Sequence, residues 1–252
     1  MRKALFSTAM AVAVLGASPA FAQATGYVGA AVNWGEVQVA GDEANGEGYT
    51  LSGAVAVPLG EALAVQADAA YADSFDNDDA DGVLSGSAHL VGDLGEDMRV
   101  GAFVTAADVA DETAFGGGVE GQVNFERSTL AATAAYATVD ELDIDAWGLS
   151  GEYRFFATDN FRIDGSLSWA SLQTPIGDTE AWGAGLGGEF KPADSMFSVF
   201  GGWNYTEADE LDVAANTFAL GVRVNFGGSL KDRDRSGPSF SGAGSLLSLA
   251  NF

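Results

Sequence analysis

The stretch Thr217–Phe226, TFALGVRVNF, alternates apolar residues with polar or small residues over its whole length. Successive side chains of an extended chain point to opposite faces. One face of this stretch carries Phe218, Leu220, Val222, Val224 and Phe226, and the other carries Thr217, Ala219, Gly221, Arg223 and Asn225. A fully apolar face with Phe at both ends is typical of a strand that crosses a lipid bilayer as part of a closed barrel.

Similar alternation recurs along the chain and predicts an all-β protein of twelve strands. The predicted strands are residues 26–37, 48–57, 62–72, 83–91, 98–106, 114–125, 129–138, 145–155, 161–171, 180–190, 196–206 and 216–226. Short connections alternate with longer acidic ones, such as Gly41–Gly46, Asp73–Gly82 and Leu172–Thr179. An even strand count with short turns on one side predicts an up-and-down antiparallel barrel with both termini on the short-turn side.

Aromatic residues recur at a spacing of eight on five of these strands. The pairs are Trp147 and Phe155, Phe161 and Trp169, Trp182 and Phe190, Phe197 and Tyr205, and Phe218 and Phe226. Eight residues span about 26 Å along a strand, or roughly 20 Å vertically after strand tilt, which is close to the apolar band of membrane barrels. A soluble β-sandwich gives no reason for aromatic residues at both ends of one face.

Composition and the first residues indicate an exported protein. Residues 1–22 combine Arg2 and Lys3, the apolar run Ala4–Gly16 and the cleavage pattern Ala20–Ala22, as a signal peptide does. The chain has no cysteine, and its formal net charge of −25 disfavours nucleic acid as a partner. The 16 Phe, 5 Trp and 6 Tyr at regular spacing argue against disorder before Gly227.

Residues 24–226 resemble the outer-membrane β-barrel (porin-like) proteins of Gram-negative bacteria, although no motif identifies a subfamily. The resemblance rests on the signal peptide, the alternation, the aromatic residues at both ends of the apolar strand faces and the last strand, which ends in Phe226. It implies an integral outer-membrane location, contact with lipid and lipopolysaccharide, and recognition of Thr217–Phe226 by the barrel-assembly machinery. Periplasmic termini are expected, and the oligomeric state stays open.

The predicted barrel domain spans residues 23–226, and residues 227–252 follow its last strand. This tail is rich in Gly and Ser and contains Lys231, Arg233 and Arg235 interleaved with Asp232 and Asp234. Two interpretations stay open: a flexible periplasmic tail, or a plug that enters the lumen, where its basic cluster meets carboxylates.

The face opposite to the lipid-facing one is expected to line the lumen. Its charged residues near the short turns are Arg99, Glu120, Glu152, Arg154, Arg162, Asp164, Glu189 and Arg223. They either pair and fill a narrow barrel or form a constriction that sets solute preference. Arg154 and Arg162 flank one turn, so they are expected as cross-strand neighbours of Asp164 and Glu152.

The acidic loop Asp73–Gly82 carries a weak calcium signal. Asn77, Asp79, Asp81 and Gly82 match the first half of a calcium-loop pattern, but Ala88 occupies the position of the bidentate Glu. A solvated acidic loop is the alternative, and no cofactor is expected beyond Ca²⁺ or Mg²⁺ loosely held at the outer loops.

Catalytic patterns are weak, and an enzyme is not expected. His89 is the only histidine; it shares a face with Ser85 and Ser87 and points into the lumen, where it is expected to be an ordinary polar residue. The sequence therefore predicts a porin-like channel for ions or small hydrophilic solutes with weak cation preference. Its alternative is a structural or surface-interaction barrel with a closed lumen, whose acidic loops bind divalent cations or lipopolysaccharide.

Overall fold

The computed structural model describes residues 23–75, 82–109, 112–175 and 177–240, which form one closed antiparallel barrel. Its strands are β1 (Thr25–Val39), β2 (Asp42–Pro58), β3 (Leu63–Ser74), β4 (Val83–Asp93), β5 (Met98–Val109), β6 (Glu112–Asn124), β7 (Ser128–Val139), β8 (Ile144–Thr158), β9 (Phe161–Thr174), β10 (Gly177–Phe190), β11 (Phe197–Ala208) and β12 (Val213–Phe226). Each strand pairs with its neighbours in sequence, and β1 pairs with β12. The predicted twelve-stranded up-and-down barrel is confirmed.

The strand that decided the prediction also closes the barrel. The ladder between β12 and β1 runs from Gly26 opposite Phe226 to Val39 opposite Val213. Closure leaves no unpaired strand edge, which is the condition for β structure to lie in lipid. One end of the barrel carries the connections β2–β3, β4–β5, β6–β7, β8–β9 and β10–β11, together with the start of β1, and is called the turn end below. The opposite end is called the loop end.

The outer surface carries two belts of aromatic residues, one near each end of the barrel. Phe155, Phe161, Phe190, Phe197 and Phe226 are exposed near the turn end. Near the loop end, Trp34 lies beside Phe218, Tyr136 beside Trp147 and Trp182 beside Tyr205, with ring centroids 4.8–6.1 Å apart. Leu, Val, Ala and Gly occupy most of the outward positions between the belts, so the outer face is an apolar band that suits lipid.

Predicted strand boundaries are least accurate at the loop end. The prediction of a loop at Gly41–Gly46 is wrong, because β2 begins at Asp42 and pairs with β1 up to a two-residue turn at Ala40 and Gly41. Both turn residues have positive φ, 52° and 88°, as a tight hairpin requires. Likewise, β9 and β10 pair through most of the predicted loop Leu172–Thr179. Backbone pairing continues beyond the apolar band because hairpin hydrogen bonds do not need lipid-facing side chains.

A short helix follows the last strand of the barrel. Helix α1 (Leu230–Ser236) begins after Ser229, whose hydroxyl accepts the Asp232 N–H while the Asp232 carboxylate accepts the Ser229 N–H. The N–H and the hydroxyl of Ser229 both donate to the Asp232 carboxylate and hold its pKa below the usual value. In the described part of the chain, no helix has both the length and the apolar composition needed to cross a membrane.

Candidate functional site in the barrel lumen

The eight charged residues predicted to line the lumen all project inward near the turn end. Arg99, Glu120, Arg154 and Glu189 are buried, and the other four are partly buried. The residues that alternate with them along the strands, such as Val100, Tyr153 and Ile163, are exposed on the outer surface. The alternation in the sequence was therefore sufficient to assign the eight side chains to the inner face. Whether the eight line a conducting pathway stays a prediction.

The largest charge cluster surrounds Glu189. The guanidinium of Arg223 donates to Glu189 Oε2 at 2.6 Å, and Arg233 donates to both carboxylate oxygens, at 2.5 and 3.1 Å. Arg162 adds a longer contact of 4.0 Å. Arg233 also donates to the side chain of Asn225. A buried carboxylate with this many partners remains charged because hydrogen-bonded cations replace its lost hydration.

A second cluster holds Asp234 on the other side of α1. Arg154 donates to Asp234 at 2.7 Å and, through its other nitrogens, to Glu152 at 2.5 and 2.7 Å. The Thr129 hydroxyl donates to Asp234 at 2.6 Å. Asp234 is 2 % exposed, so it binds the barrel wall through desolvated, charge-assisted contacts.

The expected cross-strand pairing around the β8–β9 turn is only partly right. Arg154 lies opposite Asp164 in the ladder, as expected, but its ion pair is with Glu152 on its own strand. Arg162 pairs with Asp164, also on its own strand, at 2.8 Å. Side chains two residues apart share a face, and long guanidinium stems reach along the strand as readily as across it.

Residues 229–240, here called the C-terminal segment, extend across the lumen at the turn end. Arg99 donates to the carbonyl of Gly237 at 3.2 Å and to the Ser239 hydroxyl at 2.9 Å. Gln66 donates to the carbonyl of Phe240 at 2.5 Å. With the contacts above, the segment touches inward side chains of strands on both sides of the barrel, namely β1, β3, β5, β6, β7, β8, β10 and β12.

The three basic residues of the C-terminal segment have different partners. Only Arg233 meets an inward carboxylate. Lys231 lies 3.5 Å from the exposed Asp159 carboxylate in the β8–β9 turn, and Arg235 donates to the backbone carbonyls of Phe125 and Glu126. The sequence pattern did not single out Asp234, although it is as buried as any basic residue of the segment.

His89 lies deeper in the lumen between two carboxylates. Its Nδ1 is 2.7 Å from Glu120 Oε1 and its Nε2 is 2.7 Å from Asp68 Oδ2, while its ring packs 5.4 Å from that of Phe103. An imidazole with both nitrogens protonated satisfies both carboxylates. Asp68 was not predicted among the lumenal charged residues, although its position in the alternation of β3 places it on the inner face. This arrangement suits a doubly protonated, positively charged ring.

The interior is open beyond these clusters. Two cavities of about 200 and 270 Å³ lie inside the barrel, and both are lined by Arg162 and Arg223. The larger one also touches Arg233, Asp234 and Phe240 of the C-terminal segment. The segment therefore forms the floor of a partly open lumen.

Charge is divided unequally between the two ends of the barrel. All Lys and Arg residues after residue 22 lie at or near the turn end or in the C-terminal segment: Arg99, Arg127, Arg154, Arg162, Lys191, Arg223, Lys231, Arg233 and Arg235. The loop end has acidic residues without basic ones, for example Asp140, Glu141, Glu210 and Asp212. A negative potential at the loop end follows.

The predicted calcium residues Asn77, Asp79 and Asp81 lie outside the described residues. Among the residues that are described, no group of three or more His, Cys, Asp or Glu side chains is arranged to hold a metal ion. The calcium hypothesis stays a prediction.

Comparison with known proteins gives the fold. No family model matches the chain, and no curated protein matches it by sequence. Among solved structures it is similar to the KdgM porin (7% identity, TM-score 0.51, 78% of this chain and 99% of that one). It is also similar to the translocator domain of the autotransporter NalP from Neisseria meningitidis (13%, 0.50, 89% and 95%) and to the β domain of the Bordetella autotransporter BrkA (12%, 0.50, 80% and 100%). The resemblance to outer-membrane β-barrels is confirmed at the level of the fold.

Proposed function

We propose that this protein is a porin-like channel of the bacterial outer membrane that passes ions or small hydrophilic solutes and is closed at its periplasmic end by its own C-terminal segment. The loop end faces the outside in this proposal, and the termini are periplasmic. Lipid and lipopolysaccharide surround the barrel, and the barrel-assembly machinery inserts it through β12. No catalytic step is part of the proposal.

The observation that carries the proposal is the open, polar interior beside a filled turn end. A twelve-stranded barrel is wider than the eight-stranded barrels that side chains fill completely. Here the strands leave cavities lined by charged and hydroxyl side chains, which a lumen filled by its own side chains does not have. The similarity of fold to the KdgM porin supports a channel.

Closure at the periplasmic end follows from the position of the C-terminal segment. Arg233 binds Glu189 on β10 and Asp234 binds Arg154 on β8. The end of the segment instead binds Gln66 on β3 and Arg99 on β5, across the barrel. Leu230 and Phe240 are buried at 1 % and 5 % exposure. A chain held in this way leaves no wide aqueous path past it. Conduction requires the segment to withdraw.

Cation preference is expected of the open channel. The acidic loop end concentrates cations at the outer mouth, while the inward arginines are largely neutralised by their ion pairs. For the chain lacking residues 228–252 in a planar bilayer with a KCl gradient, we predict a reversal potential whose sign shows that K⁺ permeates more readily than Cl⁻. A reversal potential of the opposite sign would contradict this prediction.

A structural or surface-interaction barrel with a closed lumen is the second candidate. The observation that favours it is the C-terminal segment itself, which fills the turn end. The acidic loop end would then bind divalent cations or lipopolysaccharide. Current recordings in planar bilayers distinguish the two candidates. A folded protein that conducts no current either with or without the segment is a closed barrel.

A further inference from the structure

The smaller cavity has the features of a binding site inside the lumen. It has a volume of about 200 Å³ and lies along the wall formed by β9–β12, away from the C-terminal segment. The side chains that matter for binding are Arg162, Asp164, Ser166, Phe200, Asn204 and Arg223. A space of this size accommodates a molecule of a few heavy atoms.

Glycines on β10 create this space. Gly185 lies opposite Ser166 on β9 and Asn204 on β11. A Cβ at Gly185 would lie 2.6 Å from the Ser166 hydroxyl and 2.7 Å from the Asn204 carboxamide oxygen, and one at Gly187 would meet the Asp164 carboxylate. The polar side chains can therefore lie over the glycines and face the cavity.

Two guanidinium groups supply a positive side to the cavity. Arg223 is held between the rings of Tyr27 and Phe200, 4.5 and 3.9 Å from their centroids. It donates one hydrogen bond to Glu189, but its buried Nε has no acceptor. Arg162 contacts Asp164 through Nε, which leaves its terminal nitrogens with only a 4.0 Å contact to Glu189. Guanidinium groups bind carboxylates through charge-assisted hydrogen bonds from their terminal nitrogens.

Acceptors for a cation lie in the same cavity. Asp164 uses Oδ1 for Arg162, so its second oxygen is free to accept from another donor in the cavity. The carboxamide oxygen of Asn204 and the hydroxyl of Ser166 stand nearby as neutral acceptors. A simple anion would leave these acceptors without a donor, and a simple cation would be repelled by the two arginines. A ligand that carries both charges matches both sides of the cavity.

We propose that this cavity binds small zwitterions with a carboxylate and an ammonium a few ångströms apart, such as free α-amino acids. Arg162 and Arg223 bind the carboxylate, and Asp164 with Asn204 binds the ammonium. A net-neutral solute is not repelled by the acidic loop end. The proposal relies on the channel function for the route to the cavity, but the binding itself can be measured without any current.

The test uses the full chain in detergent micelles and saturation-transfer NMR titrations with three matched probes. L-Alanine has both charges, propionate lacks the ammonium and ethylamine lacks the carboxylate. We expect L-alanine to bind at least about tenfold more tightly than either analogue, because each loses a charge-assisted contact. Equal binding of the three probes, or no binding of L-alanine, would overturn the proposal.

Two adjacent glycines on β11 provide a matched control. The backbone of both glycines borders the cavity, but a side chain at Gly202 points inward, whereas one at Gly201 points toward lipid near Leu220. Gly202→Val should abolish L-alanine binding, and Gly201→Val should retain it. Asp164→Asn should remove the preference for L-alanine over propionate. Circular dichroism and heat-dependent gel mobility identify folded variants, and equal effects of the two valines would count against the site.

Failure of this inference and failure of the channel function give different results. A protein that is silent in bilayers but binds L-alanine selectively keeps the site and loses the channel. A protein that conducts after removal of residues 228–252 but binds no probe keeps the channel and loses the site.

Discussion

Removal of residues 228–252 is expected to raise the current through single molecules in planar bilayers by at least about tenfold, because a constriction filled by protein is replaced by a water-filled one. In the structure the C-terminal segment occupies the turn end and buries Leu230, Arg233, Asp234 and Phe240 against the barrel wall. The barrel itself closes between β1 and β12 without the segment. Insertion and strand content should therefore be unchanged.

A shorter truncation is the matched control for this experiment. Removal of residues 241–252 alone leaves every described contact of the C-terminal segment in place. This variant should conduct as little as the full chain. If the chain that ends at Gly227 folds and inserts but conducts no better than the full chain, the segment does not close the barrel.

Breaking the two buried ion pairs should release the segment without shortening the chain. In the double variant Arg233→Ala with Asp234→Ala, the segment loses its contacts to Glu189, Arg154 and Thr129. Loss of one partner of a buried pair costs about 3–5 kcal/mol. Even half of one such loss shifts the equilibrium between docked and released segment by more than about tenfold. We expect the double variant to be open for a larger fraction of the time in bilayer recordings and its segment to be cleaved faster by a protease.

Lys231 provides the comparison within the same helix. Its contact with Asp159 is 3.5 Å long, and the Asp159 side chain is 72% exposed. An exposed pair contributes about 0–1 kcal/mol, so Lys231→Ala should leave both conductance and proteolysis near those of the unaltered protein. If the double variant behaves like Lys231→Ala, the buried pairs do not hold the segment.

Most of the barrel could be predicted from sequence because one physical constraint acts on every strand. Lipid on one face and a polar interior on the other impose a period of two, and Thr217–Phe226 shows it without interruption. The same parity placed Arg99, Glu120 and Glu189 in the lumen. Beyond the apolar band this constraint ends, so the extension of β2 to Asp42 left no periodic signal.

The details of the interior depend on information that a linear pattern does not contain. Parity puts Arg154 and Asp164 on one face, but rotamers decide that Arg154 pairs with Glu152 and Asp234. The sequence indicated that the basic cluster of the tail could meet lumenal carboxylates, but it did not indicate which basic residue pairs with which carboxylate. Of the three basic residues of the segment, Arg233 is the one that reaches Glu189, because α1 places its side chain there. Contacts between Gln66 and Phe240 join residues far apart in sequence and have no local signature.

The most direct test of the account is the alternation itself, measured in a bilayer. The natural chain has no cysteine, so single cysteines on β7 can carry nitroxide labels without background. Positions 132 and 134, both Ala, have lipid-facing parity, and Thr133 and Ala137 have lumenal parity. In liposomes, labels at 132 and 134 should collide mainly with oxygen, and labels at 133 and 137 mainly with a water-soluble nickel complex. If accessibility shows no period of two along β7, this strand does not separate lipid from lumen and the channel has no basis.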